Sequence, residues 1–365
     1  MKKITYKKSG VDYSKIDPIK KLAQISAKKT SKNFKNGFSE VADSRGESAF
    51  VWKVGNYYMA LVSEGLGTKS LVADGVYKET KKSYYENIAY DTVATIINDL
   101  VSVGATPLVL NAYWADSGSG FLHDKKKMQD FIKGWKKACD LSGVVWGGGE
   151  TPTLSGIIEK NATDLGGSAV GIIRNKRHLI TDKKLRDGDR IILIKSNGVN
   201  ANGISLARAI AKKLPKGYGT KLPNGKSFGE SLLTKSNIYA KVISDLQKAN
   251  IDIHYISNIT GHGLRKIMRG RPSFAYALEK IFKPHGIFDF IAEQAGLNPY
   301  EMYQTYDMGQ DYAIFVRPKD VLKTLKIIRK NKLRGMDAGF VQKGKKQLVI
   351  KPINVIFSGE TLDLR

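Results

Sequence analysis

The sequence predicts a protein of the α/β (α+β) class with two domains. Its 365 residues suffice for two domains of ordinary size, and its hydrophobic content of 42% can fill two cores. Strand and helix patterns also mix in both halves, which favours sheets covered by helices. We place the boundary near residue 175, so that residues 1–175 form the N-terminal domain and residues 176–365 form the C-terminal domain.

In the first half, the hydrophobic pattern predicts a hairpin followed by helices and further strands. A Gly-Asn pair between two runs of aromatic and β-branched residues is typical of such a hairpin. The predicted strands are 49–54, 57–62, 108–114 and 163–173, the predicted helices are 87–103 and 125–141, and a strand with a glycine turn lies at 144–151. Residues 1–48 are polar and include a turn-rich segment.

The second half has the same mixture of elements. A turn-rich junction precedes its first strand. The predicted strands are 190–194 and 312–316, the predicted helices are 205–214, 236–249 and 321–331, and a glycine turn at 261–263 precedes a basic helix. No short-period repeat is present.

The helix at 87–103 has an unusual polar face. At about 100° per residue, one arc of this helix collects five polar side chains. They are Asp91, Thr92, Thr95, Asn98 and Asp99. A solvated surface explains many such arcs. However, residues 83–124 contain no Lys or Arg, although 60 of the 365 residues are basic. A face that keeps carboxylates and excludes ammonium groups is typical of a cation site.

Charge and cysteine content limit the possible partners. The net charge of +26 favours anionic partners in general. The basic residues are spread in short pairs and form neither a tail nor a basic-aromatic pattern, so nucleic acid is an unlikely partner, whereas phosphorylated small substrates stay open. Cys139 is the only cysteine, which excludes an intrachain disulfide. No apolar run approaches a membrane span, so we expect a cytoplasmic protein without a membrane partner.

Three glycine-rich segments are candidate phosphate-binding turns. They are 64–69 (EGLGTK), 147–151 (GGGET) and 260–263 (TGHG). Glycines allow backbone N–H groups to approach an anion, and Lys69 adds a positive charge. A structural turn or a helix cap explains each segment about as well when it is taken alone. The basic residues of the helix after the third segment are Arg265, Lys266 and Arg269.

Taken together, the acidic helix, the glycine turns and the basic helix describe a nucleotide–Mg²⁺ site. Mg²⁺ binds a few carboxylates together with phosphate oxygens of the substrate. The candidate carboxylates are Glu64, Asp91, Asp99 and Glu150.

Short motifs along nearly the whole chain also match one known family in order. They are Tyr6-Lys7-x-Ser9-Gly10-Val11-Asp12, Gly65-x-Gly67-Thr68-Lys69, Asp91, Asn98-Asp99-Leu100, Gly104-Ala105-x-Pro107, Gly148-Gly149-Glu150-Thr151, Ser196-x-Gly198, Asn202-Gly203, Thr260-Gly261-x-Gly263 and the segment 301–309. In these motifs the chain resembles the phosphoribosylformylglycinamidine cyclo-ligase (aminoimidazole ribonucleotide synthetase) family of purine biosynthesis. Each motif is weak alone, but their common order is specific.

The resemblance implies an ATP-dependent ligase. It implies a homodimer whose N-terminal domains share a β-barrel, a C-terminal α/β domain, and ATP and Mg²⁺ as cofactors. The γ-phosphate would pass to the amide oxygen of formylglycinamidine ribonucleotide, a phosphorylated ribonucleotide. Ring closure would then give aminoimidazole ribonucleotide.

The resemblance also implies roles for particular residues. Lys69 and Asn202 would be catalytic, with Lys69 holding phosphate. The metal ligands would be Glu64, Asp91 and Asp99. The nucleotide-binding residues would be Gly65, Gly67, Thr68, Lys69, Asn98, Gly148, Gly149, Glu150, Thr260, Gly261 and Gly263.

The chain departs from the family pattern at several positions. Glu64 stands where the family has aspartate, and Asn200 where it has histidine. The other departures are Ala112, Thr153, Ser155, His262 and the segment 39–48. The nucleotide motifs match better than those expected to face the second substrate. A paralogue of the same superfamily, acting on another amide or phosphorylated small substrate, is therefore the alternative.

Overall fold

The computed structural model describes residues 3–5, 7–10 and 12–362, and its helices and strands alternate through both halves. The α-helices are α1 (Tyr13–Lys28), α2 (Lys69–Thr80), α3 (Tyr85–Ser102), α4 (Lys125–Ser142), α5 (Ile204–Ala211), α6 (Phe228–Leu232), α7 (Ala240–Lys248), α8 (Gly286–Ala295), α9 (Pro299–Thr305) and α10 (Val321–Lys330). The strands are β1 (Phe38–Glu40), β2 (Phe50–Val54), β3 (Tyr57–Gly65), β4 (Thr106–Asp116), β5 (Val145–Glu150), β6 (Thr163–Ile173), β7 (Arg190–Lys195), β8 (Ile253–Asn258), β9 (Phe274–Leu278), β10 (Gln310–Val316), β11 (Gly335–Lys343), β12 (Gln347–Ile350) and β13 (Val355–Ser358). Tyr6 and Val11 of the first motif lie outside the described residues.

The first six strands form one sheet in the order β1-β2-β3-β6-β4-β5. Its pairs are antiparallel except for β4 and β5, which are parallel. Helix α3 packs on this sheet against β3 and β6, and α4 packs against α3. Because successive side chains of a strand point to opposite faces, the sheet has a second face away from α3. On that face lie the exposed apolar residues Leu61, Val109, Tyr113 and Val145.

The last seven strands form a second sheet in the order β13-β12-β9-β11-β7-β10-β8. Its pairs are antiparallel except for β12 and β9. Strands β8 and β10 are buried along their whole length. Strand β8 lies next to α3, the helix that packs on the first sheet, and β10 lies between β7 and β8. The polar arc of α3 is thus placed between the two sheets. None of the described helices is both long and apolar enough to span a membrane.

Most predicted elements are confirmed, and the glycine at the end of the acidic helix has a clear reason. Helix α3 ends at Ser102, and Gly104 follows with φ of +86°. A Cβ atom at Gly104 would lie 1.8 Å from the carbonyl oxygen of His178, so only glycine fits there.

The prediction of a glycine turn at 147–151 is wrong. Gly147, Gly148 and Gly149 lie in β5, which pairs with β4 through a register shift next to Asn111. A Cβ atom at Gly149 would lie 2.1 Å from the carbonyl oxygen of Ala112. Gly149 therefore permits close pairing of two strands, a need that the sequence alone does not distinguish from phosphate binding.

Three helix assignments also need correction. The helix expected from 236 begins at Ala240, and the basic helix after 263 is a short 3₁₀ helix, Gly263–Met268. The polar segment 1–48 contains α1, for which no helix was expected. Helix α1 has no buried residue, so it lacks the inward apolar stripe by which amphipathic helices are recognised.

Candidate functional site

A cavity of about 740 Å³ lies between the two sheets, and its size suits a nucleotide-sized ligand. It is bounded by α1, by the segment 44–50 before and within β2, by the end of β3 and by the polar arc of α3. The second domain contributes the loop after β7 and the segment after β8. The predicted site residues that line it are Glu64, Gly65, Asn98, Asp99, Asn202, Thr260 and Gly261.

Two carboxylates face each other in this cavity. Glu64 is the last residue but one of β3 and is open to the cavity. Asp99 on α3 is only 5% exposed and accepts a 2.7 Å hydrogen bond from Asn258 Nδ2. Enclosure by the cavity wall and the nearby Asp99 raise the pKa of Glu64 to about 7. A carboxylate whose ionisation is opposed by a neighbouring carboxylate is a favourable place for a divalent cation.

The donor set suits Mg²⁺ bound together with phosphate. Within the described ranges, no group of three or more His, Cys, Asp or Glu side chains could hold a metal without further ligands. Mg²⁺ commonly takes one or two carboxylates and completes its shell with water and substrate phosphates. Glu64 and Asp99 could therefore hold it only with oxygens from a ligand or water. Lys266 lines the same cavity, where its charge lowers the pKa of Glu64.

Lys69 and Asp91 do not line the cavity, and their expected roles in ligand binding stay predictions. Lys69 Nζ donates to Asp91 Oδ2 at 2.6 Å, to the Asn200 carbonyl oxygen at 2.6 Å and to the Thr234 carbonyl oxygen at 3.3 Å. Both charged side chains are 0% exposed. Asp91 Oδ1 also accepts from the Ser236 amide at 2.8 Å. All three ammonium donors are used, so in this structure the pair joins the two domains.

Asn98 has a comparable joining role. Its Nδ2 donates to the Asn237 carbonyl oxygen at 2.8 Å, and its Oδ1 accepts from the Tyr239 amide at 2.9 Å. It lines the cavity, but both polar ends of its side chain already bind the second domain.

The remaining predicted residues are not brought into this cavity. Gly149 and Glu150 line a separate groove on the exposed face of the first sheet, next to Glu64 and Gly65. A Cβ atom at Gly263 would lie 2.3 Å from the Tyr303 carbonyl oxygen, so this glycine serves packing. The other predicted residues outside the cavity are Gly67, Thr68 and Gly148.

The departure at Asn200 is accommodated by a buried polar network. Asn200 Nδ2 donates to Asp311 Oδ1 at 2.7 Å and to Asp307 Oδ2 at 3.2 Å. Burial raises the pKa of Asp311 to about 6, and burial together with Asp311 raises the pKa of Asp307. Tyr239 donates its hydroxyl to Asp311 Oδ2 at 2.5 Å. The network fixes the loop that carries Asn202.

Several cavity residues escaped the sequence analysis. They are Tyr13, Lys20 and Gln24 on α1, Arg45, Glu47 and Ser48 before β2, and Asn258 and Asp311 in the second domain. The one usable signal for α1 was Asp12, which caps the helix by accepting from the Ser14 amide. The others have no spacing that marks them, because they meet only after the domains pack.

Comparison with known proteins identifies the family. The model of the AIR synthase related protein N-terminal domain matches residues 46–173, and that of the C-terminal domain matches residues 186–351. A phosphoribosylformylglycinamidine cyclo-ligase of Thermococcus kodakarensis is 34% identical over 330 residues, covering 90% of this chain and 92% of the relative. The chain belongs to the AIR synthase related family. A cyclo-ligase of Pyrococcus furiosus is 33% identical over 329 residues, with the same coverage.

Solved structures confirm the fold of this AIR synthase family member. The hydrogenase maturation protein HypE in complex with ATP has a TM-score of 0.58 at 15% identity, with 84% of each chain covered. PurL of T. maritima complexed with FGAR has a TM-score of 0.55 at 18% identity, covering 85% of this chain and 46% of that one. The predicted class and family are thus confirmed, whereas the barrel across a dimer stays a prediction.

Proposed function

We propose that this protein is an ATP-dependent cyclo-ligase that converts formylglycinamidine ribonucleotide to aminoimidazole ribonucleotide in purine biosynthesis. The observation that carries the proposal is that Glu64, Asp99 and Lys266 meet in one cavity. A divalent cation and a lysine on opposite sides of a phosphate suit phosphoryl transfer. Two relatives are named for this activity, and the match with this chain covers 92% of the length of each. They support the same reaction.

In the proposed reaction, the γ-phosphate of ATP passes to the amide oxygen of the substrate. The neighbouring amidine nitrogen then attacks the carbon that carries this phosphorylated oxygen. The ring closes, and the oxygen leaves with the phosphate. Bound Mg²⁺ would neutralise phosphate charge. Glu64 and Asp99 would hold it, and Lys266 would face the same anion from the other side. Asn202, on the loop fixed by Asp311, lines the cavity and would contact the ligand. Such catalysis depends mainly on positioning and charge neutralisation.

Turnover with the proposed substrate is the direct test. We expect the purified protein to hydrolyse ATP to ADP only when formylglycinamidine ribonucleotide and Mg²⁺ are present, because phosphoryl transfer needs the amide acceptor. Mass spectrometry of the products should show aminoimidazole ribonucleotide. Omission of each component provides the controls. ATP binding without this product would reject the cyclo-ligase in favour of a paralogue with another amide or phosphorylated substrate.

We also propose a homodimer formed through the exposed face of the first sheet. Apolar side chains project from three of its strands. Val109 on β4 and Val145 on β5 lie opposite each other in the sheet, and they are 40% and 64% exposed. A contiguous apolar face of this kind is typical of an interface, and a two-fold axis would cover it with its own copy.

Size-exclusion chromatography with light scattering tests the dimer. The wild type is expected to have twice the chain mass, and Val109→Asp is expected to have the monomer mass because it places a charge in the interface. Leu322→Asp is the matched control, since Leu322 is 82% exposed on α10. A monomeric wild type, or a Val109→Asp variant that stays dimeric, would reject this surface.

We further propose the boundary at residue 175 and a cytoplasmic location. The first sheet ends with Ile173 and the second begins with Arg190, so that boundary falls in the connection between them. The single cysteine is buried and free, which suits a reducing compartment.

A further inference from the structure

Helix α1 forms one wall of the cavity with an unusual orientation. The residues that it turns toward the cavity are polar or small. They are Tyr13, Lys20, Ala23, Gln24 and Ala27. Its aliphatic side chains Ile19, Leu22 and Ile25 are 68%, 65% and 61% exposed. Ordinary surface helices place their apolar side inward. This helix instead presents to the cavity a face suited to a polar ligand.

His262 fixes the start of α1 against the second domain. Its ring stacks on Tyr13 with a centroid distance of 3.7 Å, and its Nε2 lies 2.9 Å from Asp17 Oδ2. His262 itself sits in the glycine-rich loop with φ of +70°. The two contacts join successive turns of α1 to one residue. They therefore fix the rotation of the helix about its axis, and Asp17 Oδ1 also lies 4.0 Å from Lys20 Nζ.

Three cations meet at this end of the cavity. Lys20 comes from α1, and Lys266 and Arg269 come from the 3₁₀ helix Gly263–Met268 and the residue after it. Burial and then Arg269 lower the pKa of Lys266 to about 8. Lys20 acts in the same direction, and Asp99 and Glu64 act against it. The charges are thus close enough to repel each other.

The second-domain cations of this group donate their described hydrogen bonds to neutral acceptors. Arg269 donates to the Gly46 carbonyl oxygen at 2.7 Å and to Ser48 Oγ at 2.8 Å, which are neutral acceptors. Across residues 12–362, neither Lys266 nor Arg269 has a salt bridge within 4.0 Å. Arg45, by contrast, is neutralised by Glu40 at 2.5 Å. Lys20 Nζ lies 4.0 Å from Asp17 Oδ1, so within the described residues the cluster keeps positive charge that a bound anion would neutralise.

We propose that Lys20, Lys266 and Arg269 together bind a phosphate group, and that α1 is the ligand-binding cover of the cavity. Because it uses the same cavity, this inference rests on the proposed function and names part of its ligand site. The phosphate belongs either to the nucleotide or to the ribonucleotide. His262 is a positioning residue, since it acts by orienting Lys20. The family models match from residue 46 onward, so they do not include α1.

Isothermal titration calorimetry of the full chain tests the role of Lys20. The probes are the ATP analogue AMPPCP with Mg²⁺ and, separately, formylglycinamidine ribonucleotide. Lys20→Gln is expected to weaken one of them roughly tenfold, because one charge-assisted hydrogen bond is lost. The affected probe identifies the source of the phosphate. Lys21→Gln is the matched control, since Lys21 lines a different cavity on the other side of α1.

The outcomes separate the alternatives. Affinity of Lys20→Gln within twofold of wild type for both probes, equal losses in Lys20→Gln and Lys21→Gln, or a wild type that binds neither probe would each overturn the inference. If Lys20 matters for binding but no aminoimidazole ribonucleotide is made, only the proposed function fails. If product forms and Lys20→Gln binds both probes as wild type does, only the proposal that α1 binds the ligand is rejected.

His262→Gly tests the positioning role. Glycine adopts the positive φ of this residue without strain, so the thermal midpoint is expected to stay within about 3 °C of wild type. The affinity for the probe that depends on Lys20 should nevertheless fall several-fold. Bound ligand should also protect the lysines of α1 from trypsin in the wild type, and this protection should be lost in His262→Gly. Full affinity with full protection would show that His262 does not orient Lys20.

Discussion

Replacing Lys69 with methionine is expected to lower the free energy of unfolding by about 3–5 kcal/mol, because removal of one partner leaves the other charge buried and unpaired. Asp91 is 0% exposed and loses the 2.6 Å partner of its Oδ2. The Asn200 and Thr234 carbonyl oxygens lose their donor as well. Urea unfolding followed by fluorescence and by circular dichroism measures the change.

Two further variants show whether the ion pair is the cause. Lys78→Met makes the same substitution at an exposed position of α2 and should change the unfolding free energy by less than about 0.5 kcal/mol. Lys69→Met combined with Asp91→Leu should recover part of the loss, since it removes the unpaired carboxylate. A Lys69→Met variant as stable as Lys78→Met would show that the pair does not join the domains. In that case the phosphate-binding role first expected for Lys69 would regain support.

Asp99→Asn is expected to lower kcat/KM roughly 100-fold, because it removes a charged group that neutralises phosphate through the cation. The fold should be retained, since an asparagine Oδ1 can still accept the 2.7 Å hydrogen bond from Asn258. Initial rates measured over a series of Mg²⁺ concentrations should show a weaker apparent affinity for Mg²⁺. Calorimetry with Mg²⁺ and AMPPCP provides a measurement that does not depend on turnover.

The control for this substitution is an exposed aspartate. Asp140, whose side chain is 63% exposed on α4, should tolerate Asp140→Asn without a change in kcat/KM. Asp91→Asn should differ in kind, because it lowers stability more than Mg²⁺ affinity. An Asp99→Asn variant with wild-type Mg²⁺ dependence would return Asp99 to the role of an ordinary polar side chain on α3.

The acidic helix shows how far sequence reasoning reached. The shortage of Lys and Arg around α3 correctly marked its polar arc as special, and Asp99 does lie in the cavity. The same reasoning placed Asp91 beside it. Eight residues separate the two, which on a helix means about 12 Å along the axis and about 80° around it. Asp91 therefore meets Lys69 and Ser236, whereas Asp99 meets Glu64 and Asn258.

The glycine motifs show a different limit. The three segments look alike in sequence because glycine is needed wherever backbone approaches closely, whether the neighbour is a phosphate or another strand. Gly65 and Gly261 line the cavity, but Gly149 lies against Ala112 of β4. His262, a departure within the third segment, contacts α1 instead of leaving room for a ligand. Only the neighbours of each glycine distinguish these uses.

The sequence by itself determined the class, most elements and the family, because hydrophobic periodicity and ordered motifs are local or linear properties of the chain. The tertiary structure decided which charge meets which partner. Lys69 and Asn200 are 131 positions apart, and Asp99 and Asn258 are 159 apart. Such contacts depend on how two sheets and α3 pack together, and no local pattern specifies them. Packing therefore brings Asp91 to Lys69 and Ser236 and leaves Asp99 with Glu64 in the cavity.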